Sequence, residues 1–141
     1  MNVNFNIKEK VDKIYPKIVK IRRQLHENPE LSQQEKETSA LVCKVLDESG
    51  ISYQRGIAGY GVVARIVGIR ADMDALPIYE NTGLPYASKV EGVMHACGHD
   101  MHTAILLGTA MLLKELEPEL DANDSAVKLF FQPAEETIGG A

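Results

Sequence analysis

The chain is poor in cysteine and histidine and carries no excess of positive charge. Its 141 residues include two cysteines, too few for a disulfide framework, which favours a reduced, cytoplasmic protein. The formal net charge of -5 argues against nucleic acid or an anionic membrane as a partner. No apolar run reaches the length of a membrane span, and the first residues lack a signal peptide's apolar stretch. We therefore expect one modest globular domain.

The spacing of apolar residues predicts three helices. Apolar residues recur every three or four positions over residues 7–25, which indicates a first helix with a kink or a restart at Pro16. Ser32 followed by Glu35 is typical of a capping box at the start of a second helix. A third helix is expected from about Asp100, and it should be buried because it is apolar nearly all round.

Four segments have the pattern of β-strands, and residues 77–95 have the composition of a loop. The segments are ISYQRGI, GVVARIVG, IRADMDALPI and AVKLFFQ. The second and third are separated only by Gly68, so they form either one long strand or a pair from which a turn is missing. Together the elements predict an α/β fold with a mixed sheet flanked by helices.

The segment MHACGHDMHT, residues 94–103, holds three of the four histidines and one of the two cysteines. Cys97 and His99 are two residues apart, which would place both side chains on one side of an extended segment, and Gly98 permits a tight backbone between them. A thiolate and an imidazole together suit zinc or a neighbouring transition ion. Asp100 could hold the free ring nitrogen of a ligating histidine.

Two adjacent acids, Glu135 and Glu136, follow the last predicted strand. Neighbouring carboxylates can divide their work, since one can bind a metal while the other takes a proton from water. The residues alone do not say which does which. His102 lies one helical turn after His99, where it could fill the pocket or touch substrate.

These segments resemble the motifs of a known enzyme family. The blocks RADMDALPI, MHACGHDMHTA and FQPAEE, with RRQLHENPELS near the start, resemble the metal-dependent amidohydrolases of the aminoacylase/carboxypeptidase superfamily. The resemblance is strongest to the branch of hippurate hydrolases and indole-acetyl-amino-acid hydrolases. It implies a two-domain homodimeric enzyme with two divalent ions, manganese or zinc, that hydrolyses N-acyl amino acids to a carboxylic acid and a free amino acid.

The resemblance also implies roles for individual residues. Cys97, His99 and Glu136 would be metal ligands, and Glu135 would be the general base. In more distant relatives a histidine and an aspartate at positions 72 and 74 serve the site. Here Asp72 stands in place of the histidine, so the resemblance implies only a supporting role for Asp74, beside the ligands.

By the same resemblance, residues 1–141 are the N-terminal portion of the catalytic domain. The lid and dimerisation domain and two later histidines of the family have no counterpart here, so we expect the chain alone to be inactive and to bind one ion weakly. The alternatives are a non-catalytic homologue and a structural metal-binding module. A structural zinc site would need four protein ligands that fill the coordination shell, and one of the two adjacent glutamates would then have no role.

Overall fold

The computed structural model describes residues 6–64, 68–117 and 127–137, and these form three helices and four strands. In chain order the elements are α1 (Ile7–Glu27), α2 (Lys36–Glu48), β1 (Tyr53–Ile57), β2 (Gly61–Ala64), β3 (Ile69–Asp72), α3 (His99–Leu116) and β4 (Leu129–Gln132). Residues 77–95 contain no helix or strand. The predicted α/β class with a mixed sheet is confirmed.

Helix α1 runs without interruption through Pro16, so of the two predicted alternatives the restart is wrong, while the kink stays a prediction. Proline removes the hydrogen bond to the carbonyl four residues earlier, which here belongs to Asp12. Both residues are exposed, so water can solvate that carbonyl. The buried side of α1 carries Ile14, Ile21 and Leu25, and packing of this side stabilises the helix despite the proline.

The start of α2 is capped by Glu30, and the predicted capping box is wrong. The Glu30 carboxylate accepts hydrogen bonds from the backbone N–H of Glu37 at 3.0 Å and of Thr38 at 2.7 Å. The side chains of Ser32 and Glu35 instead reach other parts of the fold. A carboxylate from outside the helix thus satisfies two of the N–H groups that have no partner within it.

The sheet has the strand order β1-β2-β4-β3. β4 pairs antiparallel with β2, with Val62 opposite Phe131, and parallel with β3, with Ala71 opposite Phe131. β2 and β3 are therefore separate strands on either side of β4, and the alternative of one long strand is wrong. The possible missing turn near Gly68 falls on residues 65–67, which lie outside the described residues.

Helices α2 and α3 pack on the sheet, and α1 packs on α3. One contiguous core contains Leu25 of α1, Leu46 of α2, Leu107 of α3 and Phe131 of β4. Since β3 and β4 are parallel and α3 lies between them in the chain, the three form a βαβ unit. None of the helices described is long and apolar enough to cross a membrane.

The capping role of Glu30 gives the first prediction. Glu30→Ala should lower the free energy of unfolding by about 1 kcal/mol, because two N–H groups at the start of α2 lose their acceptor. Urea unfolding measures this loss. Glu37→Ala, which removes an exposed carboxylate from the same turn, is the control and should change stability by less than about 0.5 kcal/mol. Equal stability of Glu30→Ala and the unmodified chain would contradict the assignment.

Candidate metal centre

The predicted site residues meet where β3, β4 and α3 converge. Asp72 is the last residue of β3, while Glu135 and Glu136 lie in the turn that follows β4. His99 is the first residue of α3. The carboxyl ends of parallel neighbouring strands lie at the same edge of a sheet, which is where α/β folds commonly bind ligands. The βαβ unit therefore brings residues that are distant in sequence to one place.

Cys97 and His99 flank a left-handed glycine immediately before α3. Gly98 has φ of +98°, so the segment is a turn at the helix start and not the extended stretch that we predicted. The predicted need for glycine is confirmed, because an L residue with a side chain is strained at this φ. The turn leaves Cys97 exposed and His99 buried.

The environment of His99 determines which ring nitrogen is available to a metal. Nδ1 lies 2.9 Å from the backbone carbonyl oxygen of Asp74. A carbonyl can only accept a hydrogen bond, so in the neutral ring Nδ1 carries the proton and Nε2 has the free lone pair. Nε2 faces carboxylates, at 3.6 Å from Asp72 Oδ2 and 3.7 Å from Glu136 Oε1.

The three predicted ligands form a compact group. The ligating atoms of Cys97, His99 and Glu136 all lie within 4.8 Å of one another. Glu136 Oε1 is buried and has no hydrogen-bond partner in the described part of the chain. A buried oxygen of this kind is costly unless another group pairs with it, and a divalent cation would do so. The donor set and the orphaned oxygen therefore fit a thiophilic divalent ion.

A second group of donors shares His99. Ligating atoms of Asp72, His99 and His102 also lie within 4.8 Å of one another. His102 Nδ1 is 3.4 Å from Asp72 Oδ2, and half of the His102 side chain is exposed. His102 thus lies beside the ligand group rather than within the set that contains Cys97.

Negative charge dominates the surroundings of Cys97. Desolvation of the thiol, a hydrogen bond to Glu136 and the charges of Glu136, Glu135 and Asp72 raise the pKa of Cys97. Without a cation, the thiol therefore keeps its proton more strongly than an ordinary cysteine. A bound divalent ion would reverse this order, because it stabilises the thiolate directly.

Glu135 lies beside the ligand group and is paired with a residue that the sequence analysis missed. Its Oε2 is 3.9 Å from His99 Nε2, and its Oε1 is 3.7 Å from Arg70 Nη2. Arg70 also reaches Asp72 Oδ1 at 2.5 Å. Alternation along β3 places Arg70 and Asp72 on one side of the strand, which was the available sequence signal.

Asp74 lies next to the predicted ligands, and its supporting role stays a prediction. Its Oδ2 accepts hydrogen bonds from Ser32 Oγ at 2.6 Å and from the backbone N–H of Glu136 at 3.0 Å. Burial by itself would raise the pKa of Asp74, but these hydrogen bonds lower it overall. The side chain is therefore a buried anion held by several donors.

Asp100 does not make the contact that we predicted. Its carboxylate lies 2.7 Å from His26 Nδ1 and 3.0 Å from Arg22 Nε, both on α1. The ring of His99 is held by Asp74 instead. The reason is helical geometry, since adjacent residues at the start of α3 project in different directions. Asp100 therefore links α3 to α1. The other ring nitrogen of His26, Nε2, lies 3.1 Å from Glu80 Oε1.

Comparison with known proteins places this geometry in a family. The family model described as Peptidase family M20/M25/M40 matches residues 68–141, just over half of the chain. N-acetyl-L-cysteine deacetylase of Bacillus subtilis is 52% identical over 88% of this chain and 31% of its own length. IAA-amino acid hydrolase ILR1-like 5 of Arabidopsis thaliana is 49% identical over 98% of this chain and 33% of its own. The chain thus spans about a third of the length of these relatives.

A solved structure shares the fold. The YXEP protein of Bacillus subtilis, described as a dinuclear metal-binding peptidase of the M20 family, is 48% identical, with a TM-score of 0.81. The match covers 89% of this chain and 36% of that structure. Motifs, metal-compatible geometry, family model and fold agree, and the chain belongs to peptidase family M20/M25/M40.

Proposed function

We propose that residues 1–141 are the N-terminal portion of the catalytic domain of a metal-dependent amidohydrolase. Its reaction is cleavage of an N-acyl amino acid to a carboxylic acid and a free amino acid. The names of the two curated relatives support this substrate class, since both act on amino acids that carry an acyl group. The observation that carries the proposal is the group of Cys97, His99 and Glu136, whose ligating atoms lie within 4.8 Å with Glu135 adjacent.

Cys97, His99 and Glu136 would hold divalent metal, and we propose two ions of manganese or zinc in the complete site. The dinuclear description of the Bacillus subtilis structure supports the number of ions. Such ions supply Lewis acidity, which polarises an amide carbonyl and lowers the pKa of water. The contact between His99 Nδ1 and the Asp74 carbonyl leaves Nε2 directed toward the other donors, so binding of an ion would need little reorganisation of the ring.

In this proposal Glu135 is the general base that transfers a proton from water to the leaving amine. It neighbours the ligands but is not a member of the compact donor group, and its side chain is partly exposed. In the proposed reaction Glu135 takes a proton from the attacking water as the C–O bond forms. It then returns this proton to the amine nitrogen as the C–N bond breaks, so that the carboxylate of Glu135 is regenerated. Arg70 Nη2 lies 3.7 Å from Glu135 Oε1, so the two side chains form an ion pair at the edge of the site.

The arrangement favours catalysis over a purely structural metal site. Structural zinc sites are closed by four protein ligands, whereas catalytic sites keep a position for water or substrate. Cys97 is exposed, so an ion bound to it is accessible from solvent. A carboxylate beside the donor set, as Glu135 is, has no use in a closed structural site.

We further propose that the complete protein is a cytoplasmic homodimer. The low cysteine content supports a reducing compartment, and Cys43 is a free thiol buried in the core. The dimer is proposed from the resemblance to the amidohydrolase branch.

Asp72 and His102 would lie beside the bound substrate, and half of the His102 side chain is exposed.

Replacement of the proposed base gives the second prediction. Glu135→Gln should lower kcat by about 10²–10⁴-fold, because an amide cannot accept and return the proton. Metal content should be unchanged, since Glu135 is not among the three ligands. Both are measured on the full polypeptide encoded by the gene, with acetyl, hippuryl and indole-acetyl amino acids as substrates. Glu91→Gln alters an exposed glutamate and serves as control. Near-normal kcat in Glu135→Gln would show that another group moves the proton.

The two cysteines provide the third prediction. Loss of residues that only orient metal ligands typically costs about 10–100-fold in affinity, so Cys97→Ser should weaken zinc binding at least as much. Competition with a chelating dye measures this affinity. Cys43→Ser is the matched control: it should lower stability, because it places a hydroxyl in the core, but leave zinc affinity unchanged. Equal zinc affinity in both variants would mean that Cys97 is not a ligand.

A further inference from the structure

Glu35 is a buried acid whose carboxylate points away from the helix that it precedes. Its side chain is fully buried, and Oε1 accepts a hydrogen bond of 2.6 Å from the backbone N–H of Ala134. The two residues are 99 positions apart in the chain. The capping role that would explain an acid at this position belongs to Glu30. The contact with Ala134 therefore needs another explanation.

Ala134 has an unusual backbone conformation. Its φ is +54°, in the left-handed region that residues with a side chain rarely adopt. The residue is buried and directly precedes Glu135 and Glu136. The backbone angles at Ala134 therefore set the direction in which the following two carboxylates leave the sheet. A strained residue persists only where its surroundings hold it, and such residues concentrate at functional sites.

Two buried acids hold this turn through its backbone. Glu35 accepts from the N–H of Ala134, and Asp74 accepts from the N–H of Glu136 at 3.0 Å. The segment between α1 and α2 contributes to both contacts, because Ser32 donates to the carboxylate of Asp74. A hydrogen bond from an N–H to a carboxylate is among the stronger ones in proteins, particularly when it is buried.

We infer that Glu35 is a positioning residue that holds the turn carrying the proton-transferring Glu135 and the metal ligand Glu136. It acts through the Ala134 amide and does not touch substrate or metal. The inference rests on the proposed function for Glu135, but its effect on Glu136 can be measured by metal binding alone.

Three substitutions of Glu35 separate positioning from simple packing. Glu35→Gln keeps an oxygen acceptor at the same distance, and its amide nitrogen would replace Oε2, which has no hydrogen-bond partner among the described residues. Glu35→Met fills a similar volume without an acceptor. Glu35→Asp keeps the carboxylate but is one methylene shorter, so the Ala134 N–H can be reached only if the turn moves.

The expected results follow from misplacement of the two glutamates. A displacement of about 1 Å at a reacting group can cost roughly 10²-fold in rate, so Glu35→Asp and Glu35→Met should lower kcat by about 10–100-fold. KM should change much less, because the groups that bind substrate are not moved. Zinc affinity should fall as well, since Glu136 follows the same turn. Glu35→Gln, which keeps the acceptor, should retain kcat and zinc affinity within about threefold of the unmodified protein.

The measurements use the full polypeptide encoded by the gene, with urea unfolding of each variant. Glu30→Ala is the control, since it destabilises the neighbouring helix start without touching the turn, and it should leave kcat and zinc affinity unchanged. If Glu35→Met does not fold, Glu35→Asp decides. Unchanged kcat and zinc affinity in Glu35→Asp would overturn the inference while the proposed function stands.

Failure of the proposed function has a different signature. A protein that binds zinc but hydrolyses no N-acyl amino acid would refute the proposed reaction. The positioning inference for Glu136 would then stand if Glu35→Asp weakens zinc binding and Glu35→Gln does not. Absence of zinc binding by the unmodified protein would overturn both.

Discussion

The buried residue Asp74 joins three parts of the chain that are far apart in sequence. One oxygen accepts from Ser32, before α2, and from the backbone of Glu136, after β4. The backbone carbonyl of the same residue holds Nδ1 of His99, at the start of α3. Burial of a charge is costly, and here several donors offset that cost. Because His99 contacts the backbone carbonyl of Asp74 and the turn of the two glutamates contacts its carboxylate, the geometry of the site depends on the correct placement of this one residue after β3.

Local periodicity was sufficient to predict the elements but not their long-range contacts. The three helices and four strands could be predicted from the pattern of apolar residues, and residue type alone indicated Cys97 and His99 as candidate ligands. The choice of Glu136 rather than Glu135 as the third ligand came from the family resemblance. The parallel pairing of β3 with β4 could not, because nothing local specifies which strand lies next to which. Ser32 and Glu35 show the same limit: their spacing suits a capping box, but their partners lie 42 and 99 residues away. Asp100 likewise contacts α1 and not the adjacent histidine.

The distribution of charge in the site supports the proposal that it binds a cation. Nε2 of His99 lies 3.6 Å from Asp72, 3.9 Å from Glu135 and 3.7 Å from Glu136. Three carboxylates around one ring nitrogen repel one another where water is partly excluded, and Arg70 pairs with Asp72 and Glu135. A divalent ion would neutralise the excess negative charge and allow Cys97 to ionise. In the proposed metal centre these acids would provide the affinity for a divalent ion.

We propose that Cys97, His99 and Glu136 bind the same ion. X-ray absorption spectroscopy of the zinc-loaded polypeptide tests this most directly, because sulfur scatters differently from nitrogen and oxygen and lies farther from zinc. We expect one sulfur at about 2.3 Å together with nitrogen and oxygen ligands at about 2.0–2.2 Å. A coordination shell that contains only nitrogen and oxygen would contradict it, since zinc would then be bound without the thiolate of Cys97.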